Sequence, residues 1–409
     1  MNLSEKKRLK LPLPLPIFIV AVVCIALSVA FFLISSLAPR TLYDQYASEY
    51  FAQAGRALAL PVAETTATDD AQTAPADAAS VTDELRYSQV TAFLARGAGY
   101  SYTSFMQFRH NLAKRLETDG MVPANANANL WLDAASGTVE GVRISSDARS
   151  VNNVSVTAIV GDFFYFHPTR MHTGSAILPD AVSKDVIMVD AQTAWDAFGS
   201  YEIIGMRAEL NGVACIVGGV FEKDENDVAD HRIYASLEFV SQFLPSTELT
   251  ILEFVLPGPV SGYGLQVIYN EDSNTGLLIS VPKQNIVVVE NSTRFETGKL
   301  FSTIKNLSAF ISQTREIALP YWENAARIMT VKALVCFLFA LLFAVYPAVI
   351  VIILLVKLVR RRDRFIPWVV ATYKKLQARR NPTALGDGDA AGDPAESSDE
   401  GDAAEPTET

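Results

Sequence analysis

Two stretches of this chain carry no charged residue over a length that fits a lipid bilayer. Ile17–Leu37 is 21 residues, about 31 Å of helix at 1.5 Å per residue, enough to cross the hydrocarbon core. Ala333–Val356 is 24 residues, bracketed by Lys332 and Lys357. Pro347 lies inside it, where a membrane helix tolerates proline better than a soluble one. Lys6, Lys7, Arg8 and Lys10 precede the first stretch, and Lys357, Arg360, Arg361, Arg362 and Arg364 follow the second. The positive-inside rule then places both termini in the cytoplasm and residues 38–332 on the outer side of the cell membrane. An even number of spans agrees. The competing reading of the first stretch is a cleaved signal peptide, for which Ser36 and Ala38 are suitably small and spaced. Pro39 would follow the cut and hinder it, and the apolar run is long for a signal core, so a retained anchor is expected.

The net charge of −11 is set by the tail. From Asp387 onward there are nine acidic residues and no basic one, and −11 + 9 leaves −2 for the rest. A nearly neutral folded part gives no footprint for nucleic acid. The three cysteines, Cys24, Cys215 and Cys336, have neither metal-site nor disulfide spacing. The outer part must therefore hold together by core burial, with Cys215 as a small buried hydrophobe.

Between the spans the pattern is mixed. Residues 38–60 are expected as a stalk helix, since Leu42, Tyr46, Tyr50 and Ala54 recur at steps of four. Residues 61–80 are rich in Ala, Thr, Asp and Pro and are expected as a mobile linker. An α+β extracytoplasmic domain, mixed β-sheets with packed helices, is expected over 81–319, followed by an outer juxtamembrane segment at 320–332. Strands are predicted at 89–94, 130–133, 139–145, 151–160, 185–190, 249–256 and 285–290, and helices at 104–116, 191–198 and 295–312. Thr103 or Ser104 is the expected cap of the first of these helices. Arg207–Leu210 and Ala214–Val220 flank Asn211-Gly212, a two-residue hairpin signal. Beyond the second span, 357–380 reads as a basic amphipathic helix on the inner leaflet, and 381–409 as a disordered acidic tail. Tyr321, Trp322 and Trp368 are the expected membrane-interface anchors.

No catalytic constellation stands out, and no enzyme activity, cofactor or metal is expected. Thr297-Gly298-Lys299-Leu300 lacks the leading glycine and the hydroxyl of a phosphate-binding loop. His167 and His172 have no third ligand in view, and His110 and His231 are distant. Asp224, Glu225, Asp227 and Asp230 lack the glycine and spacing of a calcium loop and read as a solvated loop. The aromatic run Gly161-Asp162-Phe163-Phe164-Tyr165-Phe166 reads as core packing of a short helix.

Five segments occur in a telling order: Val156–Phe164, Val186–Asp190, Ala194–Ser200, Ile204-Gly205-Met206 and Ile216–Val220. Their succession over residues 151–240 resembles the periplasmic core domain of MacB-type ABC transporter permeases, with Ile233–Ser236 as the following strand. Gly199, Gly205, Gly212, Gly218 and Gly219 fall at fold-determining turns rather than at sites of chemistry. The resemblance implies a bacterial, non-catalytic membrane subunit of an ABC-transporter complex, beside a MacB/FtsX-like permease and an ABC ATPase subunit. One departure matters: such permeases carry three spans after the outer domain, and this chain has one. The alternative is a cell-envelope sensor or scaffold with an extracytoplasmic ligand-binding domain.

Overall fold

The computed structural model describes residues 14–51, 86–121, 129–147, 149–225, 227–270, 273–307, 317–360 and 373. The expected linker at 61–80, the tail at 381–409 and Trp368 lie outside these residues. So does most of the expected basic helix over 357–380, apart from 357–360 and Tyr373.

Two helices are long and apolar enough to cross a membrane, α1 (Leu15–Leu37) and the final helix, Tyr321–Arg360. The chain divides into two compact units. One comprises Met1–Val22 and Val345–Thr409, and its described part consists of the ends of these two helices and Tyr373. The other, Val23–Ala344, holds everything that follows. Within it the hydroxyls of Ser28 and Ser35 donate to the carbonyls of Ala340 and Ala333, each at 2.9 Å. The Phe31 ring stacks on Phe339 at 5.5 Å. Serines and alanines each spaced seven residues apart, in opposite order, fix an antiparallel pair, and the small side chains let the backbones approach.

The continuous stalk expected over 38–60 is corrected. After Leu37 come two 3-10 turns, Ala38–Thr41 and Tyr43–Gln45, and then a helical turn at 47–51. Residues 52–60 lie outside the described chain. Pro39 has no N–H to give the carbonyl four residues back, so α1 stops there. The turns carry Asp44 and Gln45 toward the sheet domain that follows.

That domain begins with β1 (Tyr87–Leu94) and α2 (Tyr102–Thr118), whose cap is Ser101, accepting from the Ser104 N–H at 3.3 Å. The expected cap at 103 or 104 was thus two to three residues late. Next come β2 (Leu132–Ser145), β3 (Ser150–Gly161), α3 (Phe163–Phe166) and β4 (Met171–Gly174). They lead to β5 (Val186–Asp190), α4 (Ala191–Phe198), β6 (Arg207–Leu210) and β7 (Val213–Phe221). β8 (Arg232–Ser236), α5 (Leu237–Phe243), β9 (Ile251–Pro257), α6 (Tyr263–Ile268), β10 (Ile286–Glu290) and α7 (Thr297–Thr303) complete it before α8 (Tyr321–Arg360). The helix expected over 295–312 is shorter at its start. It runs as α7 and a 3-10 turn to Asn306, and 308–316 are not described.

The strands form one mixed sheet in the order β10-β1-β9-β2-β3-β8-β5-β7-β4. β6 pairs both with β7 and with the far end of β2, Ile144 opposite Leu210. The strands β2, β3, β8, β5, β7 and β6 therefore close into a ring, from which β9, β1 and β10 extend. The two short strands expected at 130–133 and 139–145 are one long strand. Irregularities between Val139 and Ile144 bend it from its β9 partner toward β6.

Alternation along the strands separates two cores. Val90, Ala92 and Leu94 of β1 join Phe105, Phe108 and Leu112 of α2 on one face. Phe93 joins Leu132, Ala134, Phe163, Phe166, Val255 and, from α8, Trp322 on the other. The aromatic run at 161–166 is core packing, as expected.

Candidate functional site

The second face is notable for what is polar in it. Gln89, Thr91 and Glu253 project into it from the middle of β1 and β9, all 2% exposed or less. Burying an unpaired carboxylate is costly, so partners are required. Glu253 meets His167, whose Nε2 lies 2.6 Å from Oε2, while the His167 Nδ1 lies 2.8 Å from Oδ1 of Asp44. Thr91 Oγ1 donates to the second Glu253 oxygen at 3.5 Å and accepts from Asn291 Nδ2 at 3.0 Å. Gln89 Nε2 donates to the Asp44 carbonyl at 2.6 Å. Burial disfavours a charge on His167, but the Glu253 carboxylate and hydrogen bonds to Asp44 and Glu253 outweigh it. The imidazole is pushed up to about 10. It is an imidazolium at neutral pH, donating from both nitrogens to two carboxylates. Trp322 lies over the imidazole with centroids 4.3 Å apart, and Phe163 packs beside it at 4.7 Å.

One residue along α8, Glu323 is buried and receives Arg294 in a bidentate pair. Nη1 donates to Oε2 at 2.7 Å and Nη2 to Oε1 at 3.0 Å. Arg327, one turn on, donates Nε to Oε1 at 2.9 Å. Arg294 also donates to Thr330 Oγ1 at 3.2 Å and to Gln45 Oε1 at 3.4 Å. A third pair stands beside it. Arg232 binds Asp227 through Nε and through Nη2 at 2.7 Å, and its guanidinium lies 5.8 Å from the Tyr321 ring centre. The root of α8, Tyr321 to Thr330, is thus fastened to the sheet domain by the planar Arg294–Glu323 pair in a dry setting, where geometry is held tightly, and by the Tyr321 ring beneath Arg232. The segment leaving α1 is fastened to the same place through Asp44 and Gln45.

The structure corrects two readings. Trp322, expected at the headgroups, is 7% exposed and faces Phe163 and His167. Its neighbour Tyr321 is half-buried beneath Arg232. Asp227 is not a solvated loop residue but a buried partner of Arg232.

The glycine turns stand in the ring of strands, away from these charges. Gly199 ends α4 at φ 75°, Gly205 has φ 79°, and Asn211-Gly212 has φ 48° and 85°, the primed hairpin turn. Gly218 is the extra residue where the β5–β7 register slips between Ile187 and Met188. A Cβ there would strike Val186, and one on Gly219 would come within 2.6 Å of the Ser175 carbonyl. Cys215 is buried, its thiol donating to the Ala208 carbonyl at 3.4 Å. Burial first, then Asp185, pushes it up to about 12. That thiol is unreactive. His172 packs on Tyr201 and His231 bonds Thr193 Oγ1 at 3.1 Å. Among the described residues no three His, Cys, Asp or Glu side chains are grouped to hold a metal. His167, Glu253, Asp44, Arg294 and Glu323 were not singled out as a site by sequence. A carboxylate inside the apolar run Ile251–Leu256 was the available signal for one of them.

No family model and no curated protein sequence matches the chain. Among solved structures, the periplasmic region of MacB from Actinobacillus actinomycetemcomitans aligns with a TM-score of 0.37 and 15% identity, over 53% of this chain and 92% of that one. The extracellular domain of the noncanonic ABC-type transporter YknZ from Gram-positive bacteria aligns with a TM-score of 0.34 and 10% identity, over 49% of this chain and 99% of that one.

Proposed function

We propose that the chain is a non-catalytic membrane subunit of an ABC-transporter complex, anchored by two spans with both termini in the cytoplasm. In this reading its outer α+β domain moves as one body with the root of the second span and is driven by a partner permease and ATPase. One observation carries the proposal: the root of α8 is locked to the sheet by Arg294–Glu323 and by Trp322 on His167, and the same helix continues through the second apolar stretch. α8 links that stretch to the sheet as one helix, with Pro347 inside it. The order of segments over 151–240 supports the choice of complex, since it resembles the MacB-type core domain and lies on β3, β5, α4, β7 and β8 in the expected sequence. The test is purification of the full chain from its native membrane in mild detergent, with the co-eluting subunits identified by mass spectrometry. An ATP-binding-cassette subunit and a multi-span permease in fixed ratio are expected. A single species under several detergent conditions overturns the proposal.

The sensor or scaffold reading draws on a different observation, the exposed apolar group Trp195, Tyr201, Ile204 and Met206 on the outer domain. Deleting residues 358–409 separates the two. A sensor loses its output while its outer domain still binds ligand, whereas a transporter subunit of this kind keeps its partners through the spans.

A further inference from the structure

The short helix α7 and the 3-10 turn after it (Ile304–Asn306) are apolar over a wider arc than α8 covers. Leu300 is buried against Ala333 and Leu334 of α8, with Leu307 packed on the same group, in a cluster apart from both cores of the sheet. At about 100° per residue, Ile304 and Phe301 follow Leu300 round one side, while Ser302, Lys305 and Lys299 take the other. Phe301 is 55% exposed and Ile304 37%. Adjacent apolar side chains of this size, left uncovered, mark a contact surface. The level of α7 along the long helices indicates what the contact is. Ala333 opens the uncharged stretch of α8, directly after Lys332. Its carbonyl accepts from Ser35, two residues before the end of α1. Leu300 therefore packs at the rim of both apolar helices. Leu338, one turn beyond Leu334, is exposed, so the apolar stripe that α7 covers continues uncovered along α8.

We propose that α7 and its 3-10 turn lie in the headgroup layer of the membrane next to the sheet domain, with Phe301 and Ile304 among the acyl chains and Lys299 and Lys305 turned to the phosphates of anionic phospholipid. Three arguments select lipid as the occupant. Apolar side chains at the end of a span are at the depth where headgroups give way to acyl chains. The uncovered patch is continuous with the stripe on α8 that enters the span. Lys299, Lys305 and Lys332 are all exposed, and basic side chains on the polar side of an interfacial helix add attraction to anionic lipid. With Trp322 turned into the sheet core, Phe301 supplies a large ring at this level. The inference rests on α1 and α8 being membrane spans and adds a third contact of the chain with lipid.

The test is spin labelling of the full chain in vesicles of phosphatidylcholine and phosphatidylglycerol. Cys24→Ala and Cys336→Ala leave only the buried Cys215 as background. One cysteine is then introduced by Phe301→Cys, Ile304→Cys, Ser302→Cys or Leu342→Cys. All four positions are exposed, so the labels leave the packing intact. Leu342 stands on α8 nine residues beyond Ala333 and reports the span itself. Each label is scored by its accessibility to oxygen, which concentrates in lipid, over its accessibility to a water-soluble nickel chelate. The ratio is expected to be several-fold higher at 301 and 304 than at 302, and highest at 342. Ratios at 301 and 304 no higher than at 302, with 342 in lipid, overturn the interfacial placement and leave the spans standing. A ratio at 342 as low as that at 302 overturns the spans and the placement together. Raising the share of phosphatidylglycerol should raise the ratio at 301 further, and Lys299→Gln with Lys305→Gln should abolish that rise. A rise unchanged in the double variant, or no rise in the parent, overturns the role given to the lysines.

Discussion

Raising the pH should unfasten the sheet domain at His167. The folded-state pKa of about 10 lies above the ordinary 6.5 of an unfolded histidine. Because the folded value is the higher, the stabilisation is full below the unfolded value and disappears as pH rises through the folded one. With these two values the linkage contribution falls by about 3 kcal/mol between pH 6 and pH 9. A domain of this size shifts by about 2–4 °C per kcal/mol, so the melting temperature should fall by about 6–12 °C over that range. The clean measurement is a difference. His167→Gln keeps a polar side chain but cannot carry the charge, and it leaves Asp44 and Glu253 facing each other without a cation. It should be less stable than the parent at pH 6, by about 3–5 kcal/mol for a broken buried pair. Its profile between pH 6 and 9 should lack the 3 kcal/mol decline. Thermal unfolding of both proteins in the same detergent, from pH 6 to 9 at fixed ionic strength, provides the comparison. Parallel profiles for parent and variant would refute a charged His167, and with it the account of how the α1 exit segment is held to the sheet.

The other predictions concern the clamp, the turns and the topology. Glu323→Gln leaves the buried Arg294 guanidinium without its carboxylate and should cost about 3–5 kcal/mol. Hydrogen exchange of the amides at 321–326 should speed up, and unchanged protection there argues against a clamp. Gly199→Ala places a side chain at φ 75° and should cost about 1 kcal/mol, read as a melting shift of a few degrees. Val182 is 97% exposed, so Val182→Cys should react with a membrane-impermeant maleimide on intact cells while the buried Cys215 does not. Labelling only after lysis would reverse the proposed orientation.

What the sequence made legible was what its local physics decides. A Gly after Ala191–Phe198 ends a helix because only glycine takes the left-handed turn cheaply, and the structure has α4 stop there with φ 75° at Gly199. Asn211-Gly212 sets a hairpin by the same reasoning, and β6 and β7 flank it. Strand β4 was not foreseen, because Met171–Gly174 lies half-exposed at the edge of the sheet and shows no apolar run. The division of 130–145 into two strands failed because Gly137 pairs in regular register with Ala158 instead of ending the strand.

The buried charges were illegible for a different reason. Asp44 and His167 are 123 residues apart, and His167 and Glu253 are 86 apart, so no window of local sequence contains a pair. Each residue alone has an innocent reading, and only the sheet register brings them together. One inference was nonetheless available. A strand buried on both faces should be apolar throughout, so Glu253 within Ile251–Leu256, like Gln89 and Thr91 within 87–94, marks a place where another element must deliver partners. Those partners come from the segment after α1, from the loop after α3 and, for the ring above the histidine, from the root of α8. Apolar positions build the sheet and its two cores, and many different contents would serve them. The few polar positions admit only one docking arrangement, because any slip of α8 by one residue would put Trp322 where Glu323 must meet Arg294. The polar minority of the second face therefore sets where α1 and α8 attach to the sheet.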